Sequence, residues 1–442
     1  METKIKYFIG KLIEDPRTAK LALVLGSSSK LSLVGGCVRD ALQHLGSRDL
    51  DFASALSVGE LESCLSSAQI QTYQTGLKHE TLTVLPYPGL PPVEITTFRG
   101  PTRSLEEDLL LRDFTINAIA LDPWTGKLTD PASGQEDLAG KIIRAVGNPL
   151  KRFEEDPLRI MRAVRFACKN GFTLDSLTWH AAIKLVDSLK TVSIERIRDE
   201  FSRILISDRP NHGLELLAEA RVLALLFPEI EAMRGCEQNK FHKADVFYHT
   251  LEVVARTEPE IILRLAALFH DISKPETLSI GIDGERHFYR HEYVGASRVK
   301  EILTRLRFSN HEIETVSNLV ETHMRPLDCK APGLRRILRD TGDHYKTWRA
   351  LKEADLRSCN FTQAEVSAML AEFDENMLQV QKEPSVSPLS ALALRGGDLL
   401  ELGVPFGPRI GEILRALHEK VLDDPTLNER ETLLKIAESL LP

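Results

Sequence analysis

The chain has 442 residues, of which 27% are charged and 43% are hydrophobic, and its formal net charge is −8. This length predicts two to four domains, and the composition is that of an ordinary globular protein. We predict a cytoplasmic protein, because no apolar run could span a membrane and residues 1–20 resemble no signal or transit peptide. The six cysteines form no C-x-x-C pair, so we predict neither a zinc knuckle nor a disulfide framework.

The first predicted elements lie in the segment LSLVGGCVRDALQHLGSRDLDFAS, residues 31–54. Its apolar runs and glycines predict a β-α-β opening, in the order strand 31–34, tight turn 35–36, helix 38–45 and strand 49–53. Side chains alternate along a strand, so Asp49 and Asp51 share one face about 6.5 Å apart, while Leu50 and Phe52 point into the core. Two carboxylates therefore face outward together.

These paired carboxylates predict a Mg²⁺ site, because like charges this close repel each other unless a cation lies between them. The backbone N–H groups of Gly35 and Gly36, together with Arg39, are placed to bind a triphosphate next to it. The spacing is neither that of a Walker P-loop nor that of a dinucleotide fingerprint. A solvated edge strand with two acidic residues is the alternative, and a bare D-x-D pattern leaves it open.

Two later segments offer further polar side chains. The alternating run VEITTFRG predicts a strand that carries Glu94, a third carboxylate that would complete a two-metal site for displacement at phosphorus. The segment EEDLLLRDFTINAIALDP supplies Arg112 to neutralise phosphates, Asp113, and Asn117 to bond a ribose hydroxyl. Each of these residues, taken singly, is also typical of an ordinary strand or helix surface.

The segment FEEDPLRIMRAVRFA, residues 153–167, predicts a helix with a functional N-terminus. Asp156 and Arg159 lie three residues apart on one helix face and can present an acceptor and a forked donor to a base edge. Alternatively, Asp156 followed by Pro157 is an N-cap and N1 pair. Residues 141–203 carry 13 Lys and Arg against 8 Asp and Glu, which suits a phosphate backbone and a solvated helical surface equally.

Five ordered motifs resemble those of class II tRNA nucleotidyltransferases and bacterial poly(A) polymerases. They are GGCVRD with RDLD, RDFTINAIA, DPWTGKLTD, EEDPLRIMRAVRF and SIERIRDEF. The resemblance implies that Asp49 and Asp51 hold catalytic Mg²⁺. The nucleotide-binding residues that it implies are Gly35, Gly36 and Arg39 at the triphosphate, Arg112, Asp113 and Asn117 along the nucleotide, and Asp156, Arg159 and Arg162 at the base. The family usually has a second basic residue before Arg112, where this chain has Leu111.

A second pattern resembles the HD phosphohydrolase metal site. It is carried by the segments FHKADVFYHTLEVV, ALFHDISKPET and LKEADLRS. By this resemblance a divalent metal is held by four residues, His249, His270, Asp271 and Asp355. Ser273 stands where that family commonly has glycine, and His291 and His323 lie between the motifs. A lone histidine in a helical core is usually structural, which is the alternative for each one.

The patterns together predict an α+β protein. Its parts are a nucleotidyltransferase head with a polymerase β-like mixed sheet, 1–148, a helical neck for base recognition and RNA binding, 149–210, a helical body with the HD domain, 211–380, and a helical tail, 381–442. After Pro149 the apolar spacing is almost wholly helical. The Pro- and Ser-rich piece QKEPSVSPLS, 381–390, is the predicted linker before the tail.

One short loop bears on the product. Most CCA-adding relatives have a longer flexible loop between the EITTFR strand and the LEEDL helix, where this chain has only GPTRS, residues 100–104. In the family that loop helps the site switch from C to A, so we expect a CC-adding enzyme that uses tRNA and CTP. Full CCA addition, which also takes ATP, and poly(A) polymerase activity are alternatives, and an HD phosphohydrolase is an alternative of another class. The expected cofactors are Mg²⁺ and a second divalent metal in the HD site. No membrane partner is expected, and no protein partner can be inferred.

Overall fold

The computed structural model of the protein describes residues 2–26, 30–46, 49–76, 80–169, 171–239, 244–282, 284–383 and 389–441. Two compact units result. The N-terminal unit comprises Met1–Glu200 with Glu219–Arg221, and the C-terminal unit comprises Phe201–Ala218 with Val222–Pro442. The four segment boundaries expected from the sequence stay predictions. The predicted linker, 381–390, lies partly outside the described residues.

A mixed sheet forms the centre of the N-terminal unit. Seven strands of its described part lie in the order β3-β4-β5-β2-β1-β6-β7. They are β1 Leu31–Val34, β2 Asp51–Ser54, β3 Gln71–Gly76, β4 Thr81–Leu85, β5 Val93–Thr97, β6 Ala120–Leu121 and β7 Leu128–Thr129. Strands β2 and β5 are parallel, and the other neighbours are antiparallel. This sheet, with the helices around it, confirms the α+β class.

Helices cover the sheet and extend the unit. They are α1 Glu2–Glu14, α2 Pro16–Leu25, α3 Gly36–Leu42, α4 Val58–Ser67, α5 Leu105–Leu110, α6 Gly134–Gly140, α7 Pro149–Glu155, α8 Arg159–Cys168, α9 Ser176–Lys184 and α10 Ile194–Leu205, whose last residues belong to the C-terminal unit. The core includes Leu33, Phe52 and Ile95 from adjacent strands, packed in one cluster with Val38 of α3 and Leu61 of α4. This burial holds the three central strands in register, at about 1.5–3 kcal/mol for each large apolar side chain.

The opening differs from its prediction in the bounds of two elements. Helix α3 begins at Gly36, within the predicted glycine turn, and ends at Leu42. Strand β2 begins at Asp51, so Asp49 lies just before the strand, and residues 47–48 lie outside the described part.

The chain after Pro149 is also less uniformly helical than expected, because short segments pair with neighbouring segments as strands. They are β9 Thr173–Leu174, paired with β8 Ile142–Ile143, and a hairpin of β10 Leu278–Ile280 and β11 Arg286–Phe288.

The C-terminal unit is otherwise built from helices. They are α11 Pro210–Glu219, which ends at the unit boundary, α12 Val222–Leu226, α13 Pro228–Glu231, α14 Val246–Arg256, α15 Ile261–Phe269, α16 Lys274–Thr277, α17 His291–Arg305, α18 Asn310–Thr322, α19 Ala331–Thr341, α20 Tyr345–Ser358, α21 Gln363–Lys382, α22 Gly396–Glu401, α23 Pro408–Asp423 and α24 Arg430–Ser439. Trp348 of α20 is fully buried and donates its indole N–H to the carbonyl oxygen of Thr322 (3.0 Å), which joins α20 to α18. Across the described ranges, no helix combines the length and the apolar character needed to cross a membrane.

Candidate active site

Three carboxylates gather where β2 and β5 begin. The parallel register places Asp51 directly beside Glu94, and the residues that flank Asp51, Leu50 and Phe52, are buried as expected. Burial raises the pKa of Asp51, the charge of Glu94 raises it further, Arg112 opposes this shift, and Asp49 adds to it. A carboxylate held among like charges is stabilised by a cation, and an all-oxygen donor set suits Mg²⁺.

The glycine turn brings backbone close to this acidic group. Gly35 has a positive φ of 72°, and a Cβ atom there would lie 3.3 Å from Arg112 Nη1 and 3.5 Å from Asp51 Oδ2. A side chain at this position would therefore be strained and would crowd the carboxylate. Gly36 follows as the first residue of α3.

Arg112 is held beside the carboxylates by an anchor that the sequence analysis did not identify. Asp108 on α5 is 1% exposed, and it accepts from Arg112 Nη2 (3.1 Å) and from Arg99 Nε (2.7 Å). Burial alone would raise the pKa of Asp108, but the charges and hydrogen bonds of Arg112 and Arg99 lower it. The four-residue spacing between Asp108 and Arg112 was the available sequence signal.

Asp113 and Asn117 form the next part of the wall. Burial acts to raise the pKa of Asp113, but the charge of Arg162 and hydrogen bonds from Asn117, Arg162 and the Phe114 N–H lower it well below its usual range. Asn117 donates its amide N–H to Asp113 (3.0 Å) and accepts from Arg39 Nη1 (2.7 Å). Arg39, which was predicted to contact the triphosphate, is buried, and its hydrogen bond orients Asn117.

Arginines converge on the ring of Phe166. The guanidinium carbons of Arg39, Arg162 and Arg165 lie 5.1, 5.7 and 4.3 Å from its centroid. Glu200, 3% exposed, accepts from Arg165 Nε (2.6 Å) and lies 3.7 Å from Arg162 Nη1. These contacts fix the guanidinium groups on α8, and the motif SIERIRDEF, which contains Glu200, was the sequence signal for them.

The side chains of Asp156 and Arg159 have separate partners. Asp156 lies between α7 and α8 and caps the turn that leads into α8, because its Oδ1 accepts from the Leu158 N–H (3.3 Å) and its carbonyl oxygen accepts from the Arg159 N–H (3.0 Å). Asp156 Oδ2 accepts from Arg196 Nη2 (2.8 Å), and Arg159 Nη1 donates to Glu155 Oε2 (3.1 Å) and to the Arg152 carbonyl (3.0 Å). Arg196 is a further residue that the sequence analysis did not single out.

These groups line one cleft of about 460 Å³ within the N-terminal unit. Its lining includes the acidic residues Asp51 and Glu94 together with the predicted base-reading residues. The charged side chains of the lining are, besides these two carboxylates, Arg99, Arg112, Asp113, Asp156, Arg159, Arg162 and Arg196. The cleft therefore combines carboxylate oxygens that can bind a cation, arginines that can bind phosphates, and an Asp and Arg set that offers hydrogen-bond donors and acceptors.

The loop 100–104 is folded against α5. Glu107 Oε2 accepts from the backbone N–H of Thr102 (2.7 Å) and from its hydroxyl (2.5 Å). Gly100 has a φ of +98°, and a Cβ atom there would lie 2.3 Å from Glu107 Cδ. Ser104 caps α5 through its side chain (3.2 Å to the Glu107 N–H). The loop is thus tied down at both ends and at its centre.

A separate cluster of His and Asp lies in the C-terminal unit. The structure brings together the four residues predicted from the HD resemblance, with 3.1 Å from His249 Nε2 to Asp355 Oδ1 and 3.1 Å from His270 Nε2 to Asp271 Oδ2. Three groups of potential ligands overlap there, and two histidines that were outside the predicted set, His291 and His323, join Asp271 in one of them. Residues 241–243, at the start of the first HD segment, lie outside the described part.

Burial shapes the ionisation of this cluster. It acts to raise the pKa of Asp271, but the charges of His270 and Lys274 and further hydrogen bonds hold that pKa well below its ordinary value. Likewise, burial opposes ionisation of Asp355, yet the hydrogen bond of His249 and the charge of His270 lower its pKa. Both carboxylates are therefore ionised at neutral pH and can supply an oxygen ligand to a metal.

Three family models match the sequence. They are described as the poly A polymerase head domain, over residues 31–144, a probable RNA and SrmB-binding site of polymerase A, over 171–234, and a putative tRNA nucleotidyltransferase domain 2, over 292–437.

Relatives with different products align with most of the chain. An A-adding tRNA nucleotidyltransferase of Deinococcus radiodurans is 32% identical over 88% of this chain and 90% of its own length. A CC-adding tRNA nucleotidyltransferase of Thermus thermophilus is 30% identical over 87% and 88%. Among solved structures, the CCA-adding enzyme of Bacillus stearothermophilus in complex with CTP superposes with a TM-score of 0.70 and 25% identity, covering 96% of this chain and 98% of that one.

Proposed function

Because this chain belongs to the tRNA nucleotidyltransferase and poly(A) polymerase family, we propose that it adds two cytidine residues from CTP to the tRNA 3′ end. The observation that carries the proposal is that Asp51, Glu94, Asp156 and Arg159 line the same cleft. A tRNA substrate also fits the predicted cytoplasmic location.

The residues of the cleft fit Mg²⁺, because ionisable oxygens converge there and burial with mutual repulsion raises the pKa of Asp51. Asp49, Asp51 and Glu94 would hold the ions. When bound, Mg²⁺ neutralises phosphate charge and activates a hydroxyl. In the reaction, the tRNA 3′ oxygen bonds to the α-phosphorus of CTP, the bond to pyrophosphate breaks, and the hydroxyl proton passes to solvent.

The side chains of the cleft have separate tasks in this reaction. Arg112, fixed by Asp108, neutralises the triphosphate in this proposal, and Asn117, oriented by Arg39 and Asp113, donates or accepts a hydrogen bond at a ribose hydroxyl. Arg99 adds a further positive charge to the wall. Since these groups are already held by protein partners, little reorganisation is needed when the nucleotide binds.

Base choice falls to Asp156, Arg159 and Arg162. Arg162 is fixed by Asp113, whereas Asp156 is held by Arg196 and Arg159 by Glu155. A cytosine edge offers an amino donor to a carboxylate and acceptors to a guanidinium. A change from C to A requires these side chains to be reoriented toward a different base edge. The loop 100–104 is short and is held by Glu107 through Thr102, so it cannot move them.

The relatives include A-adding, CC-adding and CCA-adding enzymes, so the loop rather than the similarity supports addition of C alone. Full CCA addition and A addition are the alternatives for tRNA, and polymerisation of A on unrelated RNA is the alternative for the family.

To test the basic proposal, labelled CTP is incubated with tRNA that lacks its 3′ end and with an unrelated RNA. We expect labelling of the tRNA only, loss of labelling in Asp51→Asn, and normal labelling in the control Glu62→Gln, a half-exposed side chain on α4 whose Oε1 accepts from Gln74 Nε2. Labelling by Asp51→Asn at the normal rate would contradict the assigned site.

We also propose a second activity for the C-terminal unit, hydrolysis of phosphate esters with a divalent metal held by His249, His270, Asp271 and Asp355. The observation that favours it is the convergence of these four ionisable or coordinating side chains in a buried cluster. The purified protein should release phosphate from small phosphoesters or 2′,3′-cyclic nucleotides when a divalent metal is added. The release should vanish in His270→Ala and persist in Asp51→Ala. No release with any divalent metal would contradict this second activity.

A further inference from the structure

A cysteine lies beside the proposed metal ligands at the C-terminal end of α20. Cys359 directly follows the last residue of α20 and is four residues after Asp355, so the two side chains are neighbours on one face of the helix. Cys359 Sγ lies 3.9 Å from Asp355 Oδ1. A ring nitrogen of His249, a carboxylate oxygen of Asp355 and this sulfur all lie within 4.8 Å of one another. The HD resemblance did not predict a sulfur atom at this position.

An adjoining histidine of the same cluster shows that a positive charge belongs here. His270 Nδ1 lies 2.8 Å from the carbonyl oxygen of Ala267, which only accepts hydrogen bonds, so Nδ1 carries a proton and Nε2 of the neutral ring is a bare acceptor. This Nε2 lies 3.1 Å from Asp271 Oδ2 and 3.8 Å from Asp355 Oδ1, and it makes no hydrogen bond within the described part of the chain. A buried acceptor that faces two carboxylates needs a cation, which is either a metal ion or a second proton on the ring.

The spacings are those of ligands that share one tetrahedral metal ion. Bond lengths of about 2.3 Å to sulfur and about 2.0–2.2 Å to nitrogen and oxygen place neighbouring ligand atoms about 3.4–3.6 Å apart. The observed separations lie on either side of this range, at 3.1 Å from His249 Nε2 to Asp355 Oδ1 and 3.9 Å from Cys359 Sγ to the same oxygen. The alternative for the sulfur is a thiol that donates a long hydrogen bond to Asp355.

We propose that Cys359 is a ligand of the metal ion in this His and Asp cluster, and that its sulfur makes the site select Zn²⁺ over Mn²⁺. The inference rests on the metal proposed for the C-terminal unit and adds a ligand to it. A sulfur–metal bond forms when the ion binds, and the thiol proton passes to solvent. Thiolate ligands select zinc, whereas Mg²⁺ and Mn²⁺ prefer carboxylate, carbonyl and water oxygens.

The charges of the cluster balance with a divalent ion and a thiolate. Two carboxylates and one thiolate carry three negative charges. Lys274 Nζ lies 2.6 Å from Asp271 Oδ2 and offsets one of them. Lys352, on the same helix as Asp355, donates instead to the carbonyl oxygen of His323 (3.0 Å). A divalent ion among the ligands then balances the second carboxylate and the thiolate.

X-ray absorption at the zinc edge tests the sulfur directly. The full chain carrying Asp51→Asn, which removes a proposed metal ligand of the head, is stripped with a chelator, loaded with one equivalent of Zn²⁺ and desalted. We expect a zinc–sulfur distance of about 2.3 Å beside nitrogen and oxygen distances of about 2.0–2.2 Å. The sulfur contribution should disappear in Cys359→Ser and persist in the matched control Cys64→Ser, whose side chain is exposed on α4.

Metal preference gives a second readout on the same variants. Each protein is equilibrated with Zn²⁺ and an excess of Mn²⁺, and the ratio of the bound metals is measured by mass spectrometry after desalting. Loss of an outer-shell partner already costs about 10–100-fold in metal affinity, so loss of a ligand should cost at least about tenfold. Because sulfur favours zinc, this cost falls mainly on Zn²⁺, and we expect the ratio of Zn²⁺ to Mn²⁺ to fall about tenfold in Cys359→Ser. An unchanged ratio would contradict the selective role.

The outcomes separate the sulfur ligand from the metal itself. Retained zinc with nitrogen and oxygen neighbours alone would overturn the ligand and leave the proposed metal intact. A sulfur neighbour that persists in Cys359→Ser would also overturn it, because another cysteine would then supply the sulfur. No retained zinc would contradict both the metal and the ligand. Circular dichroism identifies a serine variant that fails to fold, and Cys359→Ala then takes its place.

Discussion

Asp108 anchors Arg112, which we propose contacts the nucleotide, so the removal of this carboxylate should have a measurable effect on both stability and activity. The carboxylate is 1% exposed and holds Arg99 Nε at 2.7 Å and Arg112 Nη2 at 3.1 Å. Breaking a fully buried ion pair costs about 3–5 kcal/mol. The side chain of Arg99 is 35% exposed and can regain water, so we expect Asp108→Asn to lower the free energy of unfolding by only about 2 kcal/mol.

The same change should weaken catalysis. Without its anchor Arg112 has no fixed position beside the triphosphate, and the loss of one oriented charged contact of about 1.4 kcal/mol corresponds to about a tenfold fall in kcat/KM for CTP. The assay combines urea unfolding with steady-state CTP incorporation into tRNA. Glu106→Gln, an exposed change on the same helix, is the control and should leave both quantities unchanged.

The pH dependence gives a third readout for Asp108. Its pKa is lower in the folded protein than in the unfolded chain, so the stabilisation is fully present above the unfolded pKa of about 3.9 and is lost as the pH falls through the folded value. Asp108→Asn should therefore lose less stability than the original protein on acidification below about pH 4. Unchanged unfolding, kinetics and acid sensitivity in Asp108→Asn would refute the anchoring role.

Three further changes test other parts of the structure. Gly134→Ala places a Cβ atom 2.1 Å from the carbonyl oxygen of Thr115, so thermal unfolding should show a loss of about 3 kcal/mol, and an unchanged transition would contradict this packing. Asp156→Ala should relax the choice of CTP over UTP and ATP with little loss of stability, whereas unchanged selectivity would remove it from base reading. Burial raises the pKa of Cys37 to about 12, so iodoacetamide at pH 8 should label exposed Cys64 and leave Cys37 unmodified, as mass spectrometry of the folded protein would show.

Local sequence patterns predicted the parts of the site that depend on one or two neighbouring elements. Alternation along a strand was enough to place Leu50 and Phe52 in the core and Asp51 on the opposite face, and the alternating run VEITTFRG predicted the strand that carries the third carboxylate. These features follow from periodicity, which the sequence shows directly. The parallel pairing of Asp51 with Glu94 then required only that the two strands be neighbours.

The partners of the arginines could not be predicted in the same way. Asp156 was predicted to cap the following helix or to act with Arg159, and its Oδ1 does accept from the Leu158 N–H, but its Oδ2 is held by Arg196, forty residues later. Such pairs depend on how helices pack across the unit, and a charged residue has many partners of opposite sign in the sequence. The histidines of the C-terminal unit show the same limit, because His291 and His323 meet Asp271 only through the packing of α17 and α18.

The number of nucleotides added to a truncated tRNA tests the proposed function most directly. tRNA lacking its last three nucleotides is incubated with this protein, CTP and an excess of ATP, and the product is sized on a sequencing gel beside tRNA standards of known length. We predict a product longer by two C residues that grows no further. A product longer by three nucleotides and ending in A would contradict addition of C alone, and an unextended tRNA would contradict the proposed activity itself.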